Sequence, residues 1–222
     1  MSAGTRTFPG RSEYSLETAH GTLHGSLLLP EDLRAIVIQV HAGPVKLTHD
    51  DALAAILQHA RIGTLSLDLL TASERRYSDV LHNVSLLAQR LLDALTMLKQ
   101  HMLCGDLPER PIAFCAVGDC SPAALRVAAL RDHGIFALVC HGGLIDLAGM
   151  LYLRSLTSPL LLLVDADDQR TWHSNRRALQ ELSCPSRCQV IPGDDSPQKA
   201  TVFSFVARET AQWLVEHLPQ TL

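Results

Sequence analysis

Apolar residues in this chain form short runs that alternate with longer amphipathic stretches. The short runs are rich in Val, Ile and Leu, which is typical of strands buried on both faces of a sheet. The amphipathic stretches repeat apolar residues every three or four positions, as helices with one buried face do. Strands are therefore predicted at 14–18, 22–29, 35–40, 64–69, 112–117, 136–140, 160–164 and 188–191. Helices are predicted at 48–61, 78–100, 121–131, 146–154, 171–182 and 200–217.

The order of these elements predicts an α/β fold. Residues 14–29 have the pattern of an N-terminal hairpin, and from residue 35 onward strands and helices alternate. Alternation of this kind implies right-handed crossovers and a mostly parallel, doubly wound sheet with helices on both faces. No linker or low-complexity tract divides the chain, so we predict one domain over 1–222, with 1–12 as a flexible N-terminal segment. In such sheets ligands bind at the carboxyl ends of the strands, where the candidate site residues must lie.

Composition narrows the classes of function. The chain has a formal net charge of -4 and no basic patch, which argues against nucleic acid as a partner. Its apolar runs are much shorter than the roughly 20 residues that span a bilayer, and none follows the amino terminus. We therefore expect a cytoplasmic protein that does not bind membranes. The six cysteines lack the spacing of a zinc site, so neither a metal nor a cofactor is expected.

Short phrases at the predicted strand ends match one protein family. They are Val40-His41-Ala42-Gly43, Leu67-Asp68-Leu69-Leu70-Thr71, His141-Gly142-Gly143 and Val190-Ile191-Pro192-Gly193. With these phrases in this order, the chain resembles the dienelactone-hydrolase-like α/β hydrolases, of the type associated with phosphoribosyltransferase domains. The resemblance implies a sheet of about eight strands with an antiparallel N-terminal hairpin. It also implies hydrolysis of esters or lactones by a nucleophile, an acid and a histidine in that chain order.

The resemblance places two of the three catalytic positions on residues that cannot perform the chemistry. The nucleophile position, in the turn after strand 112–117, is Gly118, and the histidine position is Ser196. Only the acid remains, at Asp168. Because a hydroxyl or thiol needs a base to become a good nucleophile, an acid alone supports no hydrolysis. We therefore predict a non-catalytic hydrolase homologue that binds a small molecule or a protein partner, with a homodimer as one such assembly.

The loop after strand 35–40 also differs from what the resemblance implies. It reads His41-Ala42-Gly43-Pro44, with fewer glycines than the family loop, and proline has no N–H to donate to an oxyanion. His41, Gly43, Gly118 and Asp119 are the predicted binding residues, since all four lie at carboxyl ends of central strands. The alternative for His41 is a structural bond to its own loop. The alternative for Asp168 is to cap the following helix.

A register shifted by two residues describes an active enzyme instead. It aligns Gly118-Asp119-Cys120 with the Gly-x-Cys of true dienelactone hydrolases. Cys120 then becomes the nucleophile, and His141 or His41 becomes the base. The opposing interpretation is that Cys120 is a core residue at a helix start, with Ser121 as the N-cap.

Two charged segments are interpreted as solvated surface. Residues 74–77 are predicted to be an exposed helix start, with a phosphate site as the alternative. Asp194 and Asp195 are predicted to form an acidic turn.

Overall fold

The computed structural model describes residues 10–18, 21–43, 47–130, 134–192 and 199–220. Their strands are β1 (Gly10–Thr18), β2 (Gly21–Leu29), β3 (Ala35–His41), β4 (Ile62–Asp68), β5 (Ile112–Val117), β6 (Ile135–His141), β7 (Leu160–Asp165) and β8 (Ser186–Ile191). Their helices are α1 (Leu47–His59), α2 (Ser78–Leu81), α3 (Val84–Leu103), α4 (Cys120–Ala128), α5 (Met150–Ser155), α6 (Gln169–Leu179) and α7 (Lys199–Glu216). Short 3-10 turns occupy Glu74–Arg76 and Ile145–Ala148.

All eight strands belong to one sheet, in the order β1-β2-β4-β3-β5-β6-β7-β8. The β1–β2 hairpin is antiparallel, and β2 pairs antiparallel with β4, whereas every pair from β4 to β8 is parallel. The predicted α/β sheet with an antiparallel N-terminal hairpin is therefore confirmed. The parallel arrangement brings the carboxyl ends of β3 to β7 to one edge of the sheet, where the candidate residues lie.

The sheet separates two apolar layers, and β3 shows how the sequence builds both. Ile36, Ile38 and Val40 face the layer formed with α3, α4 and α6, whereas Ala35 and Val37 face the layer formed with α1 and α7. Successive side chains of a strand point to opposite faces, so a strand covered on both sides must be apolar throughout. Among the described helices, none has the length and apolar character needed to cross a membrane.

The helix predicted at 78–100 is two helices, and this part of the prediction was wrong. The Asn83 side chain accepts a hydrogen bond from the Leu86 N–H (3.1 Å) and begins α3 anew. Asparagine is a strong N-cap residue, so it can interrupt a continuous leucine stripe. The predicted helix 146–154 is likewise divided, at Gly149, which has a φ of +97°.

The start of β1 also differs from the prediction. The segment 1–12 was predicted to be flexible, but β1 begins at Gly10, which pairs with Leu29 across the hairpin. The Ser12 hydroxyl adds a hydrogen bond to the Leu27 carbonyl oxygen (3.3 Å). Residues 1–9 lie outside the described part of the chain.

Replacing Gly143 by alanine should destabilise the fold much more than the same change at Gly142. Both glycines have positive φ (+79° and +68°), so both variants incur a similar backbone strain of about 1 kcal/mol. A Cβ at Gly143 would also overlap the carbonyl oxygen of Gly118, whereas a Cβ at Gly142 has no neighbour within 4 Å. We expect a loss of about 3 kcal/mol or more for Gly143→Ala. Urea unfolding of both variants measures the difference, and equal losses would contradict the close contact.

Candidate functional site

The turn between β5 and α4 has Gly118 at its apex. Gly118 has a φ of +57°, a conformation that costs other residues about 1–2 kcal/mol. Its N–H donates to the His141 carbonyl oxygen (2.9 Å), and its carbonyl oxygen accepts from the Ser121 N–H (2.9 Å). A Cβ built at Gly118 would have no heavy atom of the described residues within 4 Å. The nucleophile position implied by the resemblance is thus a tight turn with open space and no side chain.

Cys120 does not lie at this apex. It is the first residue of α4 and is fully buried in the core. Burial raises the pKa of the Cys120 thiol well above its ordinary value, and the negative charges of Asp68 and Asp119 raise it further. Because the thiolate is the nucleophilic form, this environment works against the alternative in which Cys120 is the nucleophile.

Ser121 was predicted to cap the helix, and the structure corrects this. The helix begins one residue earlier, at Cys120, and Ser121 lies inside its first turn. The Ser121 hydroxyl instead donates to the Gly142 carbonyl oxygen (2.9 Å). It thereby ties the start of α4 to the loop after β6.

The loop after β3 is bound to the protein's own carboxylate. The N–H of Gly43 donates to Asp68 Oδ1 (3.1 Å), which also accepts from the Leu70 N–H (2.9 Å). His41 donates from Nδ1 to the Gly43 carbonyl oxygen (2.9 Å), a bond within its own loop. The Gly43 amide is therefore already engaged, and Pro44 has no amide N–H to offer. Asp68 therefore holds this loop in place. Sequence reasoning treated Asp68 only as part of a matching phrase.

A buried ion pair holds the segment that follows β4. Arg90 on α3, only 1% exposed, donates to both carboxylate oxygens of Glu74 (2.7 and 2.8 Å) and to the Leu69 carbonyl oxygen (2.7 Å). Glu74 also accepts from the N–H and hydroxyl of Thr71 (2.9 and 2.8 Å). Donation from Arg90 is the main reason why the pKa of Glu74 falls to about 2.

Residues 75–77 are exposed, as predicted, but Glu74 is only partly exposed and is not simply solvated. Glu74 pairs with Arg90, and the next residue, Arg75, forms an ion pair with Asp68 (Nη2 to Oδ2, 2.7 Å). Sequence reasoning missed both pairs. Arg90 was overlooked because it lies in the leucine stripe of α3, 16 positions from its partner.

His141 and Asp165 lie together at the ends of β6 and β7. His141 Nε2 is 3.7 Å from Asp165 Oδ1. The His141 side chain, chiefly as a hydrogen-bond donor, holds the pKa of Asp165 below its ordinary value. Asp168 instead accepts from the Thr171 N–H (2.9 Å) as the N-cap of α6. This N-cap bond supports the capping alternative for Asp168. The residue paired with His141 is Asp165, and sequence reasoning missed that pair.

The side chains of Asp119 and Asn175 also shape the surroundings of the turn. Asp119, the residue after Gly118, pairs with His82 at the rim (3.1 Å). The buried Asn175 donates to the Gly143 carbonyl oxygen (3.0 Å) and accepts from the Ile145 N–H (3.0 Å). Asn175 therefore fixes the glycine loop against the turn, and sequence reasoning gave no sign of it.

Several predicted residues fall outside the described part of the chain. Pro44 belongs to 44–46, and Asp194, Asp195 and Ser196 belong to 193–198. Within the described ranges, no group of three or more His, Cys, Asp or Glu side chains could hold a metal ion.

Several solved structures, one of them a dienelactone hydrolase, are similar to this chain. A dienelactone hydrolase from Anabaena variabilis has a TM-score of 0.82 and 27% identity, over 95% of this chain and 99% of that one. Est1E from Butyrivibrio proteoclasticus (TM-score 0.74, 13% identity) aligns over 94% of this chain and 99% of its own. A cold-adapted esterase from an Arctic intertidal metagenomic library (0.74, 18%) aligns over 99% and 100%. At these lower identities the two esterases support the fold alone, while the first structure confirms the resemblance to dienelactone hydrolase.

Curated relatives add a second association. Two Mycobacterium tuberculosis proteins, from strains CDC 1551 and H37Rv and provisionally named phosphoribosyl transferase, are each 32% identical over 200 residues. The match covers 87% of this chain but 44% of theirs, so the chain spans less than half the length of these relatives. No family model matches the chain.

Glu74→Gln should lower the free energy of unfolding by about 3 kcal/mol, because it leaves the buried Arg90 charge without its partner. Since the folded pKa of Glu74 is depressed, its contribution is present above the ordinary value of 4.5 and is lost as pH falls toward 2. The difference in the free energy of unfolding between wild type and variant should therefore shrink as the pH falls from 4.5 toward 2, as measured by urea unfolding. Glu181→Gln, which removes an exposed pair with Arg154, is the control and should cost at most about 1 kcal/mol.

Cys120 should resist iodoacetamide at neutral pH in the folded protein, whereas the exposed Cys104 should react. Peptide mass mapping before and after unfolding in urea distinguishes the two thiols. Rapid, selective labelling of Cys120 in the folded protein would contradict its burial and revive the alternative in which it is the nucleophile.

Proposed function

We propose that this chain, which has the α/β-hydrolase fold and resembles dienelactone hydrolase, binds a small molecule beside Gly118 without hydrolysing it. The observation that carries the proposal is the turn itself. Its backbone has the conformation and the open space of a nucleophile turn, but the residue at the apex has no side chain. A ligand can therefore occupy the space that a hydroxyl or thiol would otherwise fill.

Two further features support binding over turnover. Acyl transfer needs a nucleophile with a base beside it and N–H donors directed at the developing oxyanion. Here the nucleophile is absent, and the Gly43 amide is committed to Asp68. Loss of one oxyanion donor alone lowers turnover by about 10²–10³. Any activity left by these changes would be far below that of an intact hydrolase.

The rim of the turn indicates what kind of molecule fits. It carries the imidazole of His141, the His82–Asp119 pair and the half-exposed guanidinium of Arg75. These groups donate and accept hydrogen bonds. A small polar molecule with ester, lactone or carboxylate oxygens suits this combination.

Filling the open space should abolish binding. Gly118→Leu places a side chain where the ligand is proposed to lie, and Gly105→Leu is the matched control, since Gly105 also has positive φ and no neighbour within 4 Å. Binding of γ-valerolactone is followed by shifts of the Asp119 and Gly142 amide resonances. We expect saturable shifts in wild type and Gly105→Leu and none in Gly118→Leu. Equal binding by all three would place the ligand elsewhere.

Wild-type protein should also release p-nitrophenol from p-nitrophenyl acetate no faster than the Gly118→Ala variant does. Neither protein has a nucleophile at the turn, so both should match the buffer background. Turnover by the purified wild-type chain that persists through repeated purification would overturn the non-catalytic part of the proposal.

A second candidate, binding to a protein partner, is favoured by the length of the curated relatives. Because this chain corresponds to 44% of them, we infer that phosphoribosyl transfer in those proteins belongs to the remaining part. The chain would then serve such a module as a partner domain. Calorimetric titration of the chain with phosphoribosyl diphosphate and magnesium should give no binding heat. Saturable binding would contradict this division of roles.

A further inference from the structure

The His141–Asp165 pair stands directly beside the turn that lacks a nucleophile. His141 ends β6, and its backbone oxygen accepts the N–H of Gly118. Asp165 ends β7, the next strand, with its Oδ1 3.7 Å from His141 Nε2. Both side chains are accessible, His141 at 24% and Asp165 at 54%. An imidazole and a carboxylate thus lie on the strand ends next to the open space at Gly118.

The His141–Asp165 pair is better suited to proton transfer than to stabilising the fold. An ion pair this exposed contributes at most about 1 kcal/mol to folding. A carboxylate facing one ring nitrogen of histidine favours a proton there and leaves the other nitrogen as the base. Among the described residues, Asp165 is the only charged side chain paired with His141.

We propose that His141 and Asp165 are the acid–base pair of this site, with His141 as the proton acceptor and Asp165 as its positioning residue. The proposal rests on the proposed function. It assumes that the site does not hydrolyse esters because Gly118 supplies no nucleophile. A hydroxyl or thiol introduced at position 118 should therefore become reactive. The pair differs from the positions that the sequence resemblance implied, Asp168 and Ser196.

The expected reaction of such a variant proceeds in two steps. The introduced oxygen forms a bond to the ester carbonyl carbon, its proton passes to His141, and the phenolate leaves with the electron pair of the broken C–O bond. Water then attacks the acyl carbon and gives a proton to His141. The bond between the acyl carbon and the introduced oxygen breaks, that oxygen takes the proton back from His141, and the acid is released. The proton taken up in each step is returned to the leaving group or to solvent.

The test introduces a nucleophile and then removes the pair. Gly118→Ser and Gly118→Cys should hydrolyse p-nitrophenyl acetate at least tenfold faster than wild type. Gly118→Ala, which has the same backbone strain but no nucleophile, should not. In the active background His141→Ala should return the rate to the wild-type level, whereas His173→Ala, at an exposed position on α6, should not change it.

The pH profile separates an acid–base role from a merely structural one. The rate of the active variant should rise through the titration of an imidazole, whose ordinary pKa is about 6.5. Asp165→Asn should move that midpoint to lower pH, because the carboxylate that favours the protonated imidazole is gone. An unshifted midpoint, or a rate independent of His141, would overturn the proposal.

Each outcome distinguishes this inference from the proposed function. Folded but inactive Gly118→Ser and Gly118→Cys variants would overturn the inference and leave non-catalytic binding intact. Wild-type turnover that depends on His141 would support the inference and overturn the proposed function. Should neither variant fold, the His141 pKa is measured by NMR in wild type and in Asp165→Asn. A His141 pKa that is the same in both proteins would then overturn the proposal that the two residues act as a pair.

Discussion

The close contact between Gly118 and Gly143 is the constraint on which the rest of this site depends. The backbone of Gly143 lies so near the Gly118 carbonyl oxygen that no side chain fits between them. The Gly118 N–H binds the His141 oxygen, and the Gly142 N–H binds the Leu163 oxygen, so the ends of β5, β6 and β7 are joined in sequence. None of these contacts uses a side chain at position 118. The geometry of the turn is therefore independent of whether a nucleophile is present.

The loops on the other side of the site are held by charge. Arg90 fixes Glu74, and Asp68 gathers the Gly43 amide and the Arg75 guanidinium. A buried ion pair often contributes little net stability, but removing one partner leaves a charge that the core cannot accommodate. These pairs specify one arrangement of the loops rather than adding to the apolar core. A preorganised rim of this kind lowers the entropic cost of binding a ligand.

The fold could be predicted from the sequence because its apolar runs mark the segments that are buried in the core. The almost wholly apolar β3 is typical of a strand covered on both faces, and the structure has it at the centre of the sheet. The site was less predictable, since it depends on turn geometry. Asp165 and Asp168 are three residues apart, and only the conformation of the turn decides that Asp165 meets His141 while Asp168 caps α6. Arg90 was hidden for another reason: its partner lies outside its own helix.

Glycine at the apex also changes the energetics of the turn. A serine or cysteine held at a φ near +57° would cost about 1–2 kcal/mol, a strain that active sites tolerate because it positions the nucleophile. Glycine adopts this φ without that cost, so the turn of this chain does not carry the strain that a serine or cysteine at position 118 would bring. This difference in strain agrees with the general trade-off in which a strained active site gains activity at the expense of stability. If the chain binds a ligand without turnover, as we propose, glycine at position 118 would let the turn keep its shape without the strain that a nucleophile at this φ would carry.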